Sequence, residues 1–197
     1  MNVSRLLGIT SIFEGGRRME FVKFDEAVEY VLGWEGGLVE DAADSGGITN
    51  FGISLRFLRG LDEEMLRKYG VYVPPDADAV REMTLEQARN IYFGEFWVGS
   101  GIERLREQEV ANYVFDMMVN MGIAQAVKLL QRACWALTYN LGCVKDDGVL
   151  GEMTISLANA FAPHEMIPVL MGIRAEFYRS LDKVAFLNGW LRRTYRV

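Results

Sequence analysis

Apolar residues recur at helical spacing from Phe24 onward. Phe24, Ala27, Val28, Val31 and Leu32 predict an amphipathic helix over 24–35. Asp25 and Glu26 suit its first turn, where carboxylates complement the helix dipole, and Gly36-Gly37 is its expected C-cap. The pattern then changes. In residues 38–54 the short β-favouring pieces Leu38-Val39, Ile48-Thr49 and Phe51-Gly52-Ile53 flank a turn-rich centre over 41–47, which predicts a small irregular hairpin. A second helix is expected over 55–66, followed by a loop with paired prolines over 69–78. Thr84 and Gln87 form a capping box for a helix running to about residue 97, with Ala88, Ile91, Tyr92 and Phe96 as its buried face. Residues 109–121 are apolar nearly all round, the mark of a central buried helix. Gly122 separates it from a helix striped by Ala126, Leu130, Ala133 and Leu137. A tight turn over 146–151 precedes a short helix from Thr154. A long helix follows with Met166, Val169, Leu170, Ile173, Phe177 and Leu181 in phase. Five or more helices and one hairpin predict a mainly α fold of the lysozyme-like α+β type, a helical bundle with one small β-hairpin.

Composition narrows the function. The 197 residues, half of them apolar, suffice for one full core. A net charge of −6 argues against nucleic acid as a partner, although residues 170–197 carry a local +4 that suits contact with an anionic polymer. No apolar run approaches the ~18 residues of a membrane span, so no stable membrane insertion is expected. Residues 1–20 read as a poorly structured extension. Their apolar stretch is interrupted, no small-residue cleavage site follows, and Arg17-Arg18 stand where the exit should be. The protein is therefore expected to be made in the cytoplasm and to leave by a route not encoded as a clear signal peptide.

Two cysteines, Cys134 and Cys143, make no disulfide framework, and with the single His164 they supply no four-ligand zinc site. The nucleotide-binding, zinc-protease and serine-hydrolase motifs are all missing from the sequence. No metal and no cofactor is expected, and the chemistry falls to carboxylates. Glu35 continues the apolar stripe of the first helix and sits at its negative end. Partial desolvation and the dipole both disfavour its charged form, as a general acid requires. A carboxylate reaching solvent at the helix end is the other reading of that segment. Asp44, Ser45 and Gly46-Gly47 suit a turn in any protein, but they follow Glu35 closely enough to fold back beside it. Asn112, Asp116 and Asn120 form a polar ladder at i, i+4 and i+8 on the otherwise apolar helix, suited either to a sugar groove or to internal hydrogen bonds.

The stretch from Trp34 to Ser54 resembles the EGGY-x-x-DPxDPGGxTxxGIS signature of glycoside hydrolase family 108, N-acetylmuramidases found as phage endolysins and secretion activator proteins. Leu38 replaces the usual tyrosine, and Ala42 and Ser45 replace prolines, while Glu35, Asp44 and Thr49 remain. Phe115-Asp116-Met117-Met118-Val119-Asn120-Met121-Gly122, Asp147-Gly148-Val149-Leu150-Gly151 and Gly189-Trp190-Leu191-Arg192-Arg193 look like that family's companion peptidoglycan-associated segment. The spacing E-x8-D-x4-T also resembles the Glu–Asp–Thr arrangement of phage-type lysozymes. The resemblance implies a catalytic segment over 21–102 and a helical peptidoglycan-associated segment over 103–197, packed into one globular unit and expected to be monomeric. It implies a bacteriolytic muramidase that cleaves the β-1,4 bond between N-acetylmuramic acid and N-acetylglucosamine in peptidoglycan strands of the cell wall. Glu35 would be the acid, Asp44 the second carboxylate, and Thr49 the residue that positions water. Asn50, Tyr92, Trp97, Asn112 and Asn120 are the candidate groove residues. The alternatives are a catalytically weak wall-binding or secretion-accessory protein of the same fold, and an enzyme acting on chitin.

Overall fold

The computed structural model describes residues 23–33, 37–40 and 47–196. Helix α1 (Phe24–Leu32) buries Ala27, Val28 and Val31. Its last described turn closes with the Gly33 amide donating to the Glu29 carbonyl at 3.0 Å, and the expected cap at Gly36-Gly37 falls partly outside the described residues. Strands β1 (Val39–Glu40), β2 (Ile48–Asn50) and β3 (Ile53–Ser54) form an antiparallel sheet in that order, one strand more than the expected hairpin. The extra strand arises because Phe51-Gly52 is a turn and not part of a strand. Both residues have positive φ, 48° and 76°, as a two-residue hairpin turn of matching twist requires.

The helix expected over 55–66 is two helices, α2 (Leu55–Arg59) and α3 (Glu63–Lys68). Gly60 ends the first, and the Asp62 carboxylate starts the second by accepting from the Met65 amide at 2.8 Å. The segment read as a proline loop ends in a further helix, α4 (Ala77–Arg81), capped in the same way by Asp76. The Thr84/Gln87 capping box opens α5 (Leu85–Ile91), which runs on as a π-helix over Tyr92–Val98. Gly94 lies inside that π-helix, where a Cβ would come within 2.1 Å of the Tyr69 hydroxyl. A 3-10 turn, Ile102–Arg104, leads to α6 (Gln108–Met121).

The remaining helices are α7 (Ile123–Thr138), α8 (Glu152–Ala158), α9 (Pro163–Ser180) and α10 (Val184–Thr194). The buried stripe of α9 is rotated from the expected one. Met166, Ile167, Leu170, Arg174, Ala175 and Tyr178 are buried, while Val169, Ile173 and Phe177 are only partly covered. The reason is that α9 faces α6 and α10 as well as α7, so its inner surface holds polar partners too. One apolar cluster runs from Ala27 to Leu170 and joins residues of both segments. Phe24 meets Phe93, Trp97 and Phe115 edge-on at 5.2, 5.6 and 6.2 Å, which seats α1 against the π-helix and α6. The result is mainly α with one small sheet, as a lysozyme-like fold requires. Among the described residues no helix is long and apolar enough to cross a membrane.

Candidate functional site

The sheet has two unlike faces, because successive side chains on a strand point to opposite sides. Ile48 and Asn50 of β2 point inward and are buried. Thr49, between them, points outward and stays half-exposed, in register with Val39 on one side and Ser54 on the other. The Ser54 hydroxyl is occupied as the cap of α2, accepting from the Phe57 amide at 3.1 Å. Thr49 therefore offers its hydroxyl from the middle of a small open face. Helix α4 holds that face in place. The Asn50 amide donates to the Val80 carbonyl at 3.0 Å, and Arg81 pairs with Glu40 of β1 at 2.6 Å. Of the three expected catalytic residues, Glu35 and Asp44 lie outside the described residues. The described chain brackets them with Gly33 and Gly37 around the first and Glu40 and Gly47 around the second.

The expected groove residues are drawn inward. Tyr92 is fully buried, and its hydroxyl donates to the Phe51 carbonyl, pinning the β2–β3 turn from beneath. Trp97 is 3% exposed and packs edge-on against Phe24 and Phe115, so its ring is core and cannot stack on a sugar. Asn50 is buried by its bond to α4. The polar ladder of α6 makes internal hydrogen bonds, the second of its two readings. Asn112 accepts from the Gln108 amide at 2.7 Å, and Asn120 accepts from the Tyr178 hydroxyl.

Asp116, the middle rung, is the most demanding of the three. It is fully buried, and two arginines neutralise it. Arg193 of α10 donates through Nε to Oδ1 at 2.8 Å, with Nη2 at 2.7 Å from the same oxygen. Arg174 of α9 brings Nη2 to 2.8 Å from Oδ2, an ion pair not aligned as a hydrogen bond. Arg174 also lies over the Tyr113 and Tyr178 rings, at 5.3 and 5.5 Å. Burial is the largest single influence and favours its neutral form, but the Asp116 charge together with Tyr178 and Tyr113 outweighs it and holds the guanidinium cationic. Two cations of the basic C-terminal region, Arg174 and Arg193, thus face inward rather than toward an anionic polymer. A sequence signal for this pairing existed: an aspartate inside an apolar helix, and an arginine four residues after Leu170 in another, each need a buried partner.

Two further groupings had no such signal. The Tyr69 hydroxyl donates to Glu95 at 2.7 Å, tying α3 to the π-helix, and burial followed by that bond raises the phenol's pKa well above its ordinary value. A cleft of about 390 Å³ opens between the exit of α7 and the start of α8. Its floor is internally bonded: the Gln131 amide donates to Asp147 at 2.9 Å and to the Val149 carbonyl at 3.1 Å, while its oxygen accepts from the Gly148 amide at 3.0 Å. Cys143 lines this cleft, and Cys134 lies buried behind it, its thiol pushed up to about 12 by burial.

Residues 28–122 match the family model described as glycosyl hydrolase 108. That span includes the whole sheet and every expected catalytic residue, and it runs past residue 102 through all of α6. No curated protein matches the chain. Among solved structures, SagA from Brucella abortus is 28% identical, with 87% of this chain and 88% of that one covered and a TM-score of 0.69. Residues 28–122, just under half of the chain, are thus similar to glycosyl hydrolase 108 domains, and that likeness supports a glycoside hydrolase with a glycan substrate.

Proposed function

We propose that the protein is a peptidoglycan N-acetylmuramidase, hydrolysing the β-1,4 bond between N-acetylmuramic acid and N-acetylglucosamine. The observation that carries the reading is the glycosyl hydrolase 108 match over 28–122, which contains Glu35, Asp44 and Thr49 in the order and spacing of the signature. Glu35 protonates the leaving oxygen. Asp44, on the other side of the sugar, guides water or supports the positive charge that develops as the bond breaks. Thr49 orients that water from the open face of β2, and a hydroxyl flanked by a spoken-for Ser54 suits the role. Residues 21–102 supply the catalytic segment and 103–197 the peptidoglycan-associated one. The enzyme works as a monomer, made in the cytoplasm and reaching the wall after release or export.

The test is digestion of purified peptidoglycan, with identification of the sugar at each newly formed reducing end. Soluble fragments ending in reducing N-acetylmuramic acid are expected. Reducing N-acetylglucosamine ends, or faster cleavage of chitin oligosaccharides, would reassign the bond. Sedimentation with the wall and no release of reducing ends would leave a wall-binding or secretion-accessory protein instead.

A further inference from the structure

The cleft between α7 and α8 is lined by residues within 131–154, beyond the 28–122 segment that matches glycosyl hydrolase 108, and takes no part in the chemistry assigned to the sheet. Its volume of about 390 Å³ is that of a small-ligand pocket. The floor is bonded to itself, because the Gln131 amide is directed to Asp147, Val149 and Thr154. Three polar groups are nevertheless left over. The Thr154 hydroxyl, 3% exposed, accepts from Gln131 at 3.4 Å and donates to no acceptor among the described residues. Asp147 receives the Gln131 amide and the Val149 amide on the same oxygen, Oδ1, which leaves Oδ2 open. Those bonds, the Val149 one first, hold its carboxyl below the ordinary range. Lys145 is exposed and close enough to act on Asp147, yet it forms no ion pair among the described residues.

The other lining groups narrow the ligand. Val144 is buried, while Val149 and Met153 stay well exposed and offer small apolar surfaces. Among the described residues no aromatic side chain lines the cleft, so a sugar ring finds no flat apolar face to stack on. Lys145 is outnumbered by Asp147 and Glu152, the latter already paired with Arg104, so the cleft does not attract a polyanion. What fits is a small molecule with a carboxylate, N–H donors, a carbonyl and a short apolar side chain, which describes a short peptide.

We propose that this cleft binds a short acidic peptide of the kind that hangs as a stem from N-acetylmuramic acid. Lys145 pairs with its carboxylate, Oδ2 of Asp147 accepts from a peptide N–H, and the Thr154 hydroxyl donates to a peptide carbonyl. Val149 and Met153 cover a small side chain. The inference rests on peptidoglycan being the substrate. It gives the C-terminal segment a hold on the peptides of the wall, separate from the sugars cleaved at the sheet.

Cys143 lines the cleft and can report on it. Cys134 is buried with its thiol pushed up to about 12, so at pH 8 a small alkylating reagent reads Cys143 alone. The experiment measures that alkylation rate in the full-length protein with and without the free stem tetrapeptide, released from purified peptidoglycan by an amidase. At about 10 mM tetrapeptide the rate should fall roughly fivefold, as a low-millimolar site requires. In Lys145→Glu, which sets like charges together, the rate should stay within about twofold of its own peptide-free value. Taking the ratio within each protein cancels any direct effect of the new charge on the thiol. Bare glycan strands from the same digest should give no protection. The proposal is overturned if the tetrapeptide leaves the wild-type rate unchanged, if Lys145→Glu is protected equally, or if the bare strands protect instead. Release of reducing ends from the wall is followed in parallel. Cleavage without protection by the tetrapeptide removes this site alone, whereas protection without cleavage removes the muramidase reading and leaves the site.

Discussion

Between Ser54 and Ile91 four helices of five to seven residues each start on a side-chain cap. Ser54, Asp62, Asp76 and Thr84 all accept from the amide three residues ahead. From Gln108 onward the helices are mostly longer, up to the eighteen residues of α9, and none starts on a capping bond from the N-cap side chain to an amide ahead; in α9 it is the Glu165 carboxylate that reaches back to the Ala162 amide. A helix of one or two turns gains few backbone bonds against a costly nucleus, so each polar cap is a large share of what holds it. The longer helices are held by buried faces, and where a buried face carries charge the partners are ion-paired, as in Asp116, Arg174 and Arg193. Thr49, the described member of the candidate chemistry, lies on the small sheet just ahead of the capped helices, and α4 braces that sheet. The long helices form the frame behind it.

That contrast can be broken at several points. The largest expected effect belongs to the chemistry that the capped helices adjoin. Glu35→Gln should leave the far-ultraviolet dichroism intact and reduce release of reducing ends by roughly 10²–10⁴-fold, since the amide has no proton to give. A folded variant with wild-type lysis would remove the acid assignment.

The burial of the second region has a chemical signature of similar size. Cys134, with its thiol pushed up to about 12, should alkylate at pH 8 roughly a thousandfold more slowly in the native chain than in urea. The same shift makes stability fall as pH rises. Above the unfolded thiol value of about 8.5 the unfolded chain loses a proton that the folded chain retains until about 12. Native labelling of Cys134 as fast as in urea would mean that α7 opens locally.

Removing a buried charge partner should be the most damaging change to stability. Asp116→Ala leaves two arginines without their carboxylate and should cost about 3–5 kcal/mol in urea unfolding. Loss of a cap is smaller: Asp76→Ala and Thr84→Ala should each cost about 1 kcal/mol. If either cap proved worth as much as Asp116, the division between cap-held and core-held helices would fail. The smallest effect is expected at an exposed pair. Arg67 and Glu63 stand 2.7 Å apart on α3, both well exposed, and Arg67→Ala should change stability by less than about 0.5 kcal/mol.

Much of the architecture can be read along the chain. The all-apolar character of α6, the Thr84/Gln87 capping box, the break at Gly122 and the signature around Glu35 and Thr49 are local patterns, and the helical elements follow from them. The errors were local as well. Gly60 followed by Asp62 is a stop and a new start, and Asp76 is a cap, although both lay inside segments read as one helix and one loop.

Which polar residue meets which was not legible in the same way. Asn112, Asp116 and Asn120 look equivalent on a helical wheel, yet one bonds within α6, one binds two arginines, and one accepts from a tyrosine of α9. Tyr92 and Trp97 carry the residue types of a sugar groove and are nevertheless buried, because α1, the β2–β3 turn and α6 close over them. By itself the sequence determined the helical content, the Thr84/Gln87 cap and the likeness to glycosyl hydrolase 108, since each depends on residues near one another in the chain. Tertiary structure alone decided the partners of Asp116, the open side of β2 and the tie from the Tyr30 hydroxyl to the Arg196 carbonyl. Those depend on contacts between residues dozens to more than a hundred positions apart, whose geometry is set only when the helices pack.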